Sequence, residues 1–150
     1  MIPWGDKWPK SVWLGTTIEN QEWADKRLPI FADIPAAVRF ISAEPLLGPI
    51  DLEPWLESTI DWVIAGGESG PKARPSNPKW FREIMSQCVA KDVPFHFKQW
   101  GDWAPDRGKP TIHKSERAQS VDGTLMVRLG KKAAGRHLGG AIWNELPNVG

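Results

Sequence analysis

Four short apolar runs along this chain each end on polar side chains. The runs cover residues 12–18, 38–43, 62–67 and 95–97, and Glu19, Glu44, Glu68 and Lys98 directly follow them. Runs that are apolar on both faces are typical of parallel strands covered on each side. Because the carboxyl ends of parallel strands meet at one edge of a sheet, the pattern predicts a polar site at that edge.

Helical signals lie between the apolar runs. Asn20 is a predicted N-cap for a helix that begins at Gln21, and Pro29 is expected to break or kink that helix and leave it short. Asn77 and Pro78 predict a second helix that runs to about Lys91. A one- or two-turn helix is expected within 53–57. This alternation predicts an α/β fold in which right-handed crossovers connect a parallel sheet.

The character of the chain changes after residue 100. Residues 1–100 are predicted to form the α/β core, and residues 101–150 an irregular C-terminal extension that packs on it. Within the extension, Asp122-Gly123 predicts a hairpin between residues 120 and 129. A four-stranded parallel sheet has open edges, so we expect self-association or an extension that covers an edge.

Charge and aromatic content leave two interpretations open. The 150 residues carry 19 basic and 18 acidic side chains, which gives no overall excess for a nucleic acid. A late basic cluster is interpreted either as a solvated face or as a nucleic-acid patch. The ten Trp residues either hand their N–H groups to nearby acceptors or form a stacking platform. The basic cluster comprises Arg107, Lys109, Lys114, Arg117, Arg128, Lys131, Lys132 and Arg136.

The single cysteine and the hydropathy of the chain indicate the cellular compartment. Cys88 has no internal disulfide partner and lies in a helical segment, where a small core residue is the usual role. No stretch approaches a membrane span of roughly 20 apolar residues, and no signal peptide is recognisable. A cytoplasmic protein without membrane contact is therefore predicted.

The segment from Gly66 to Gly70 is a glycine-rich loop. Its backbone N–H groups could bind an anion near Arg74, although glycines also serve ordinary tight turns. The spacing matches neither a Walker loop nor a dinucleotide fingerprint. His96, inside a predicted strand, is interpreted as a satisfied core residue.

Together, these segments resemble a known family. Residues 12–21, 42–49, 61–71 and 97–101, with the tail at 130–136 and 143–147, are similar to the second half of the phage-type gp thirty-seven/gp sixty-eight family. That uncharacterised group resembles radical-SAM barrels. The resemblance implies half of a TIM-like barrel, or a partial one. It also implies that an N-terminal half with three clustered cysteines would precede Met1.

The resemblance implies a division of roles between the two halves. An iron–sulfur cluster needs several thiolates, so this chain alone is expected to bind no cofactor. The cluster and S-adenosylmethionine would belong to a full-length form. The expected partner is the missing half or a second copy.

The strand ends supply the candidate site, in which no metal ligand is assigned. In the barrel interpretation these side chains point into the mouth, where they would bind a cationic amino group, hold a divalent metal or share a proton. A structural salt bridge of Lys98 with Glu44 or Glu68 is the alternative. The predicted catalytic residues are Glu44, Glu68 and Lys98, and the predicted substrate-binding residues are Glu19, Asn20, Gly66, Gly67, Ser69, Arg74, Gln99 and Trp100.

Three functions remain open from the sequence. The leading hypothesis is the C-terminal part of a radical-SAM-like barrel, which contributes substrate contacts but no cluster. The first alternative is a metal-assisted enzyme that uses the strand-end carboxylates. The second is a phage accessory module that binds nucleic acid through the basic tail and exposed Trp residues. The sequence does not decide whether the chain is an enzyme on its own.

Overall fold

The four apolar runs form a parallel sheet whose strand order follows chain order. The computed structural model describes residues 7–106, 108 and 118–147. In it β1 (Trp13–Thr17), β2 (Val38–Ala43), β3 (Trp62–Gly66) and β4 (Phe95–Gln99) pair in the order β1-β2-β3-β4. The predicted α/β fold with a parallel sheet is therefore confirmed. The sheet is open, and the described residues do not close it into a barrel.

The connecting helices begin where the capping residues predict. Helix α1 (Gln21–Ala32) is capped by the Asn20 side chain, which accepts from the Trp23 N–H, and helix α2 is short (Glu53–Leu56). Helix α3 (Pro78–Ala90) is capped by Asn77, which accepts from the Lys79 N–H.

The expectation that Pro29 would shorten the first helix is wrong. Pro29 lies inside α1, which continues to Ala32. The buried side chains of Leu28 and Phe31 hold this last turn against the core, whereas Pro29 itself is exposed. Tertiary packing therefore outweighs the hydrogen bond that the proline removes.

The helices that connect the parallel strands, α1, α2 and α3, lie on one face of the sheet, so the expectation of two covered faces is also wrong. Sequential strand order with right-handed crossovers puts every connection on the same side. On that side Ile41, Val63 and Phe97 are fully buried. The other side, here called the open face, is half-buried or exposed. It consists of Trp13, Gly15, Thr17, Phe40, Ser42, Trp62, Ile64, His96 and Lys98.

The open face changes in character along the strands. Near the amino ends, the Trp62 ring contacts the rings of Trp13, Phe40 and His96, at centroid distances of 6.2, 5.7 and 6.1 Å. The Phe40 ring lies directly over Gly15, where any β-carbon would overlap it. Toward the carboxyl ends the face becomes polar, with Ser42 and Lys98. An apolar layer thus lies below a polar edge.

The residues after the parallel sheet form a second, antiparallel sheet. Strands β5 (Trp103–Pro105), β6 (Ala118–Val121) and β7 (Thr124–Arg128) pair in the order β5-β7-β6, and helix α4 (Lys131–Ala134) follows. Asp122 and Gly123 have positive φ values of 45° and 79°, so the predicted hairpin is confirmed.

The C-terminal segment lies along the outer edge of β4. The Trp143 carbonyl accepts from the Phe97 N–H at 3.1 Å, and the Glu145 N–H donates to the Phe95 carbonyl at 3.3 Å. The Glu145 carboxylate accepts from the Phe95 N–H at 2.8 Å. One edge of the sheet is therefore covered, whereas β1 has no strand on its outer side among the described residues.

Candidate functional site

Glu44 and Lys98 meet at the polar end of the open face. Lys98 Nζ lies 3.3 Å from Glu44 Oε2, and the Ser42 hydroxyl donates to the same oxygen at 3.1 Å. The Glu44 side chain is 17% exposed, whereas that of Lys98 is 54% exposed. This contact is the salt bridge that the sequence left as an alternative to a catalytic pair.

A glycine on the neighbouring strand makes room for Glu44. The chain leaves β2 through a cis Glu44–Pro45 peptide bond. The carboxylate then lies against Gly66, where any β-carbon would overlap Oε1. Gly66 is therefore a packing requirement of the site. It contacts the predicted acid Glu44.

Glu68 is bound by Arg74 in a bidentate pair. Glu68 Oε2 accepts from Arg74 Nε and from the Arg74 backbone N–H, both at 2.8 Å, and Oε1 accepts from Nη2 at 2.9 Å. The guanidinium holds the pKa of Glu68 below its ordinary value, mainly through the side-chain hydrogen bond. This arrangement ties the loop after β3 to itself.

Glu19 has a cationic neighbour of its own. Arg27 Nη1 lies 3.4 Å from Glu19 Oε2 and donates to the hydroxyl of Thr17 at 2.9 Å. The three strand-end carboxylates are thus each paired with a different cation. No group of three His, Cys, Asp or Glu side chains suited to a metal ion occurs among the described residues, so the metal-assisted alternative gains no support.

The glycine-rich loop uses its amides inside the protein. The Gly67 N–H donates to the Gln99 carbonyl at 2.9 Å, and the Gly70 N–H donates to Asp102 Oδ2 at 3.2 Å. Arg128 binds the Gly70 carbonyl and the same Asp102 oxygen. These two N–H groups are therefore not presented to an anion, whereas Ser69 is exposed on the loop.

Asn20 and Trp100 make structural contacts. Asn20 caps α1. Trp100 is buried against the rings of Phe81 and Phe97 and donates its Nε1–H to the His137 carbonyl at 2.9 Å. Neither side chain lies on the open face. Of the predicted site residues, the structure brings Glu44 and Lys98 together there, and Arg74 together with Glu68 in the loop.

His96 and Arg136 form a contact that the sequence analysis missed. Arg136 Nη2 lies 3.4 Å from His96 Nε2, and it also donates to Asn144 Oδ1. His96 Nδ1 is buried and has no hydrogen-bond partner among the described residues, so the interpretation of a satisfied core histidine is wrong. Burial, followed by the charge of Arg136, lowers the pKa of His96. The signal in the sequence was strand alternation, which puts His96 and Lys98 on one face.

Several tryptophans and two residues of the basic cluster make hydrogen bonds or ion pairs inside the protein. Several indole N–H groups donate to backbone carbonyls, as the simpler interpretation predicted. Arg128 is paired with Asp102, and Arg136 with Asn144. Arg107, Lys109, Lys114 and Arg117 lie outside the described residues. The tryptophans that donate in this way are Trp8, Trp62, Trp100, Trp103 and Trp143.

Cys88 cannot serve an iron–sulfur cluster. Its side chain is fully buried on α3, and burial raises the pKa of the thiol to about 12. A cluster is bound by several thiolates, so the residues of this chain do not fit the group.

Comparisons with known proteins identify one family. A family model described as "Protein of unknown function (DUF5131)" matches residues 1–147. Neither the curated proteins nor the solved structures include a match. No helix in the described part of the chain is long and apolar enough to cross a membrane.

Proposed function

This chain belongs to the DUF5131 family, and we propose that it supplies the substrate-contacting half of a partly open α/β barrel, in which the C-terminal segment covers the edge of β4 and the other half pairs with β1. The observation that carries the proposal is the open face. Strands wound in one direction with every helix on one side are the arrangement found in barrels, where the other side becomes the inner wall. Among the described residues nothing fully buries that side, so its Trp and Phe rings stay half-exposed.

The chemistry of the open face supports the same proposal. Barrel enzymes hold their sites at the carboxyl ends of the strands and fill the amino ends with bulky side chains. Here the rings of Phe40 and Trp62 lie toward the amino ends, and Glu44 and Lys98 lie at the carboxyl ends. In the proposed site, the Glu44 carboxylate accepts a substrate proton or hydrogen bond, and the Lys98 ammonium binds negative charge.

Glu68 has a positioning role in this proposal. Its carboxylate is fully occupied by Arg74, so it holds the loop beside the site.

The resemblance to radical-SAM barrels assigns the iron–sulfur cluster and S-adenosylmethionine to the complementary half. Cys88 does not fit a cluster, and we therefore derive no step through one. The role proposed for this chain is limited to binding and orienting a substrate beside Glu44 and Lys98.

The proposal is tested on the protein from its native source. Intact mass, read beside the coding sequence, is expected to reveal a cysteine-bearing half that is covalently attached or stably bound. Hydrogen exchange at β1 should then be slower in that native form than in the isolated chain, because a strand of the other half pairs with its outer edge. Amides within α3 provide the internal control and should exchange equally in both.

Two results would overturn the proposal. One is a native protein that consists of this chain without a second half. The other is a native complex in which β1 exchanges as fast as it does in the isolated chain.

A further inference from the structure

We propose that the open face binds an oxyanion group of the substrate, a carboxylate or a phosphate, between Lys98 and Arg136 with His96 as the third contact. The inference rests on the proposed function and names the substrate class of the same site. Arg136 contacts His96 on β4, and Lys98 follows two residues further along the same strand.

Strand β4 and the segment after α4 supply the three side chains. His96 and Lys98 are two residues apart on β4. The pairing with β3 shifts by one residue at this point, and Lys98 reaches the open face through its contact with Glu44. Arg136 reaches His96 from the segment after α4. Its Nη2 lies 3.4 Å from His96 Nε2, and its bond to Asn144 Oδ1 fixes the guanidinium beside the strand.

Both cations keep unused donors. Lys98 has one hydrogen-bond partner among the described residues, Glu44, at 3.3 Å, whereas a charge-assisted bond is usually about 2.7–2.9 Å long. An ammonium has three donors, and half of the Lys98 side chain is exposed. Arg136 uses only Nη2 in the described contacts and is exposed. A guanidinium presents its donors in a fork that fits both carboxylates and phosphates.

The local charge is positive. Two cations, Arg136 and Lys98, and one carboxylate, Glu44, act on His96. Glu44 already faces Lys98, so it does not neutralise Arg136. Burial lowers the pKa of His96 most, followed by the charge of Arg136; Glu44 raises it, and Lys98 lowers it by less.

The hydrogen bonding of His96 is incomplete in the described structure. Arg136 donates toward Nε2, which makes Nε2 the acceptor and puts the ring proton on Nδ1. Nδ1 is buried without a partner among the described residues, so no hydrogen bond offsets the loss of its hydration. An oxyanion on Arg136 and Lys98 would favour the protonated ring, whose Nε2–H could then donate to the anion.

The experiment titrates inorganic phosphate and acetate into the full chain at constant ionic strength. The ring signals of His96 are followed by NMR, and binding is also measured by calorimetry. We expect saturable binding with an upward shift in the pKa of His96. Lys98→Met and Arg136→Met should each weaken binding about tenfold, because each removes a charge-assisted contact. Phosphate and acetate together distinguish the two sources of oxyanion.

Lys79→Met provides the matched control. Lys79 is an exposed lysine in a long ion pair, 3.5 Å from Glu83, but it lies on α3, away from the open face. Its removal should leave binding unchanged, and thermal unfolding should verify that all three variants fold.

Three outcomes would overturn the inference. The first is no saturable binding of phosphate or acetate, and the second is an equal loss of affinity in the Lys79 and Lys98 variants. The third is a change in the ring signals of His137 without a change in those of His96. Any of them would leave the native-mass result intact, so failure here is distinguishable from failure of the barrel proposal. If the native protein has no second half but still binds the anion, the barrel proposal fails and the anion site stands.

Discussion

At the scale of single residues, Glu68 links acidity to stability. Arg74 lowers its pKa, so the folded protein keeps this carboxylate ionised at pH values where the unfolded chain takes up a proton. The pair with Arg74 therefore adds to the free energy of unfolding at pH values above the ordinary pKa of a glutamate. This stabilisation is lost as the pH falls through the lowered pKa of the folded state. We predict that Glu68→Gln costs about 1 kcal/mol at pH 7 and progressively less below about pH 4.

Urea unfolding at both pH values measures this effect. Glu83→Gln removes an exposed ion pair on α3 and serves as the control, with an expected change of about 0.3–0.5 kcal/mol. An equal loss for Glu68→Gln at acidic and neutral pH would contradict the link between Arg74 and the folded pKa.

Packing requires a glycine at position 67. Any β-carbon on Gly67 would overlap the Trp100 carbonyl, which belongs to the backbone and cannot rotate away. We predict that Gly67→Ala destabilises the protein by about 1–3 kcal/mol. Gly48→Ala is the matched control, because its nearest neighbour is the Asn20 β-carbon at 3.3 Å. Equal thermal midpoints for the two variants would show that the loop moves freely.

At the scale of elements, Asn77 connects helix α3 to the antiparallel sheet. Its Oδ1 accepts from the Lys79 N–H at 2.8 Å, and its Nδ2 donates to the Val121 carbonyl at 2.7 Å. We predict that Asn77→Ala costs about 1–2 kcal/mol, because it removes the cap and leaves a carbonyl unpaired. Asn77→Ser keeps a capping oxygen and loses the second bond without adding a charge at this buried position, so denaturant unfolding should rank it between wild type and Asn77→Ala. Equal losses would mean that the cap itself contributes little.

The sequence predicts elements better than it predicts what covers them. Asn20, Asn77 and Pro78 mark helix starts by local hydrogen bonding, and Asp122-Gly123 marks a turn by backbone conformation, so each signal is complete within a few residues. The open face is different, because Phe40 and Trp62 have the same apolar character as the buried Ile41 and Val63. Which face receives the helices depends on strand order, a non-local property.

In the candidate site, too, local features could be predicted from the sequence and contacts between distant residues could not. Glu44 and Lys98 could be predicted from the sequence, because each directly follows an apolar run that predicts a strand. Arg136 could not be assigned, since it reaches His96 from forty residues along the chain. Glu19 pairs with Arg27 and Glu68 with Arg74, whereas Glu44 pairs with Lys98. These pairings depend on the positions of the cations in space, which the sequence does not give.

At the scale of the whole molecule, the open face predicts how the isolated chain behaves. Trp13, Phe40, Trp62 and Ile64 form a contiguous surface that is not fully buried, and such a surface promotes association in water. We predict that the isolated chain assembles with increasing concentration. Ile64→Lys should shift sedimentation toward the monomer, because it puts a charge in the middle of that surface.

Val89→Lys separates this effect from a general gain in solubility. Val89 is 59% exposed, but it lies on helix α3. Its substitution adds the same charge away from the open face and should leave the association unchanged. A wild-type chain that sediments as a monomer at every concentration would mean that the open face is stable in water. The barrel proposal would then lose its argument from uncovered apolar surface, and only the polar edge at Glu44 and Lys98 would still support it.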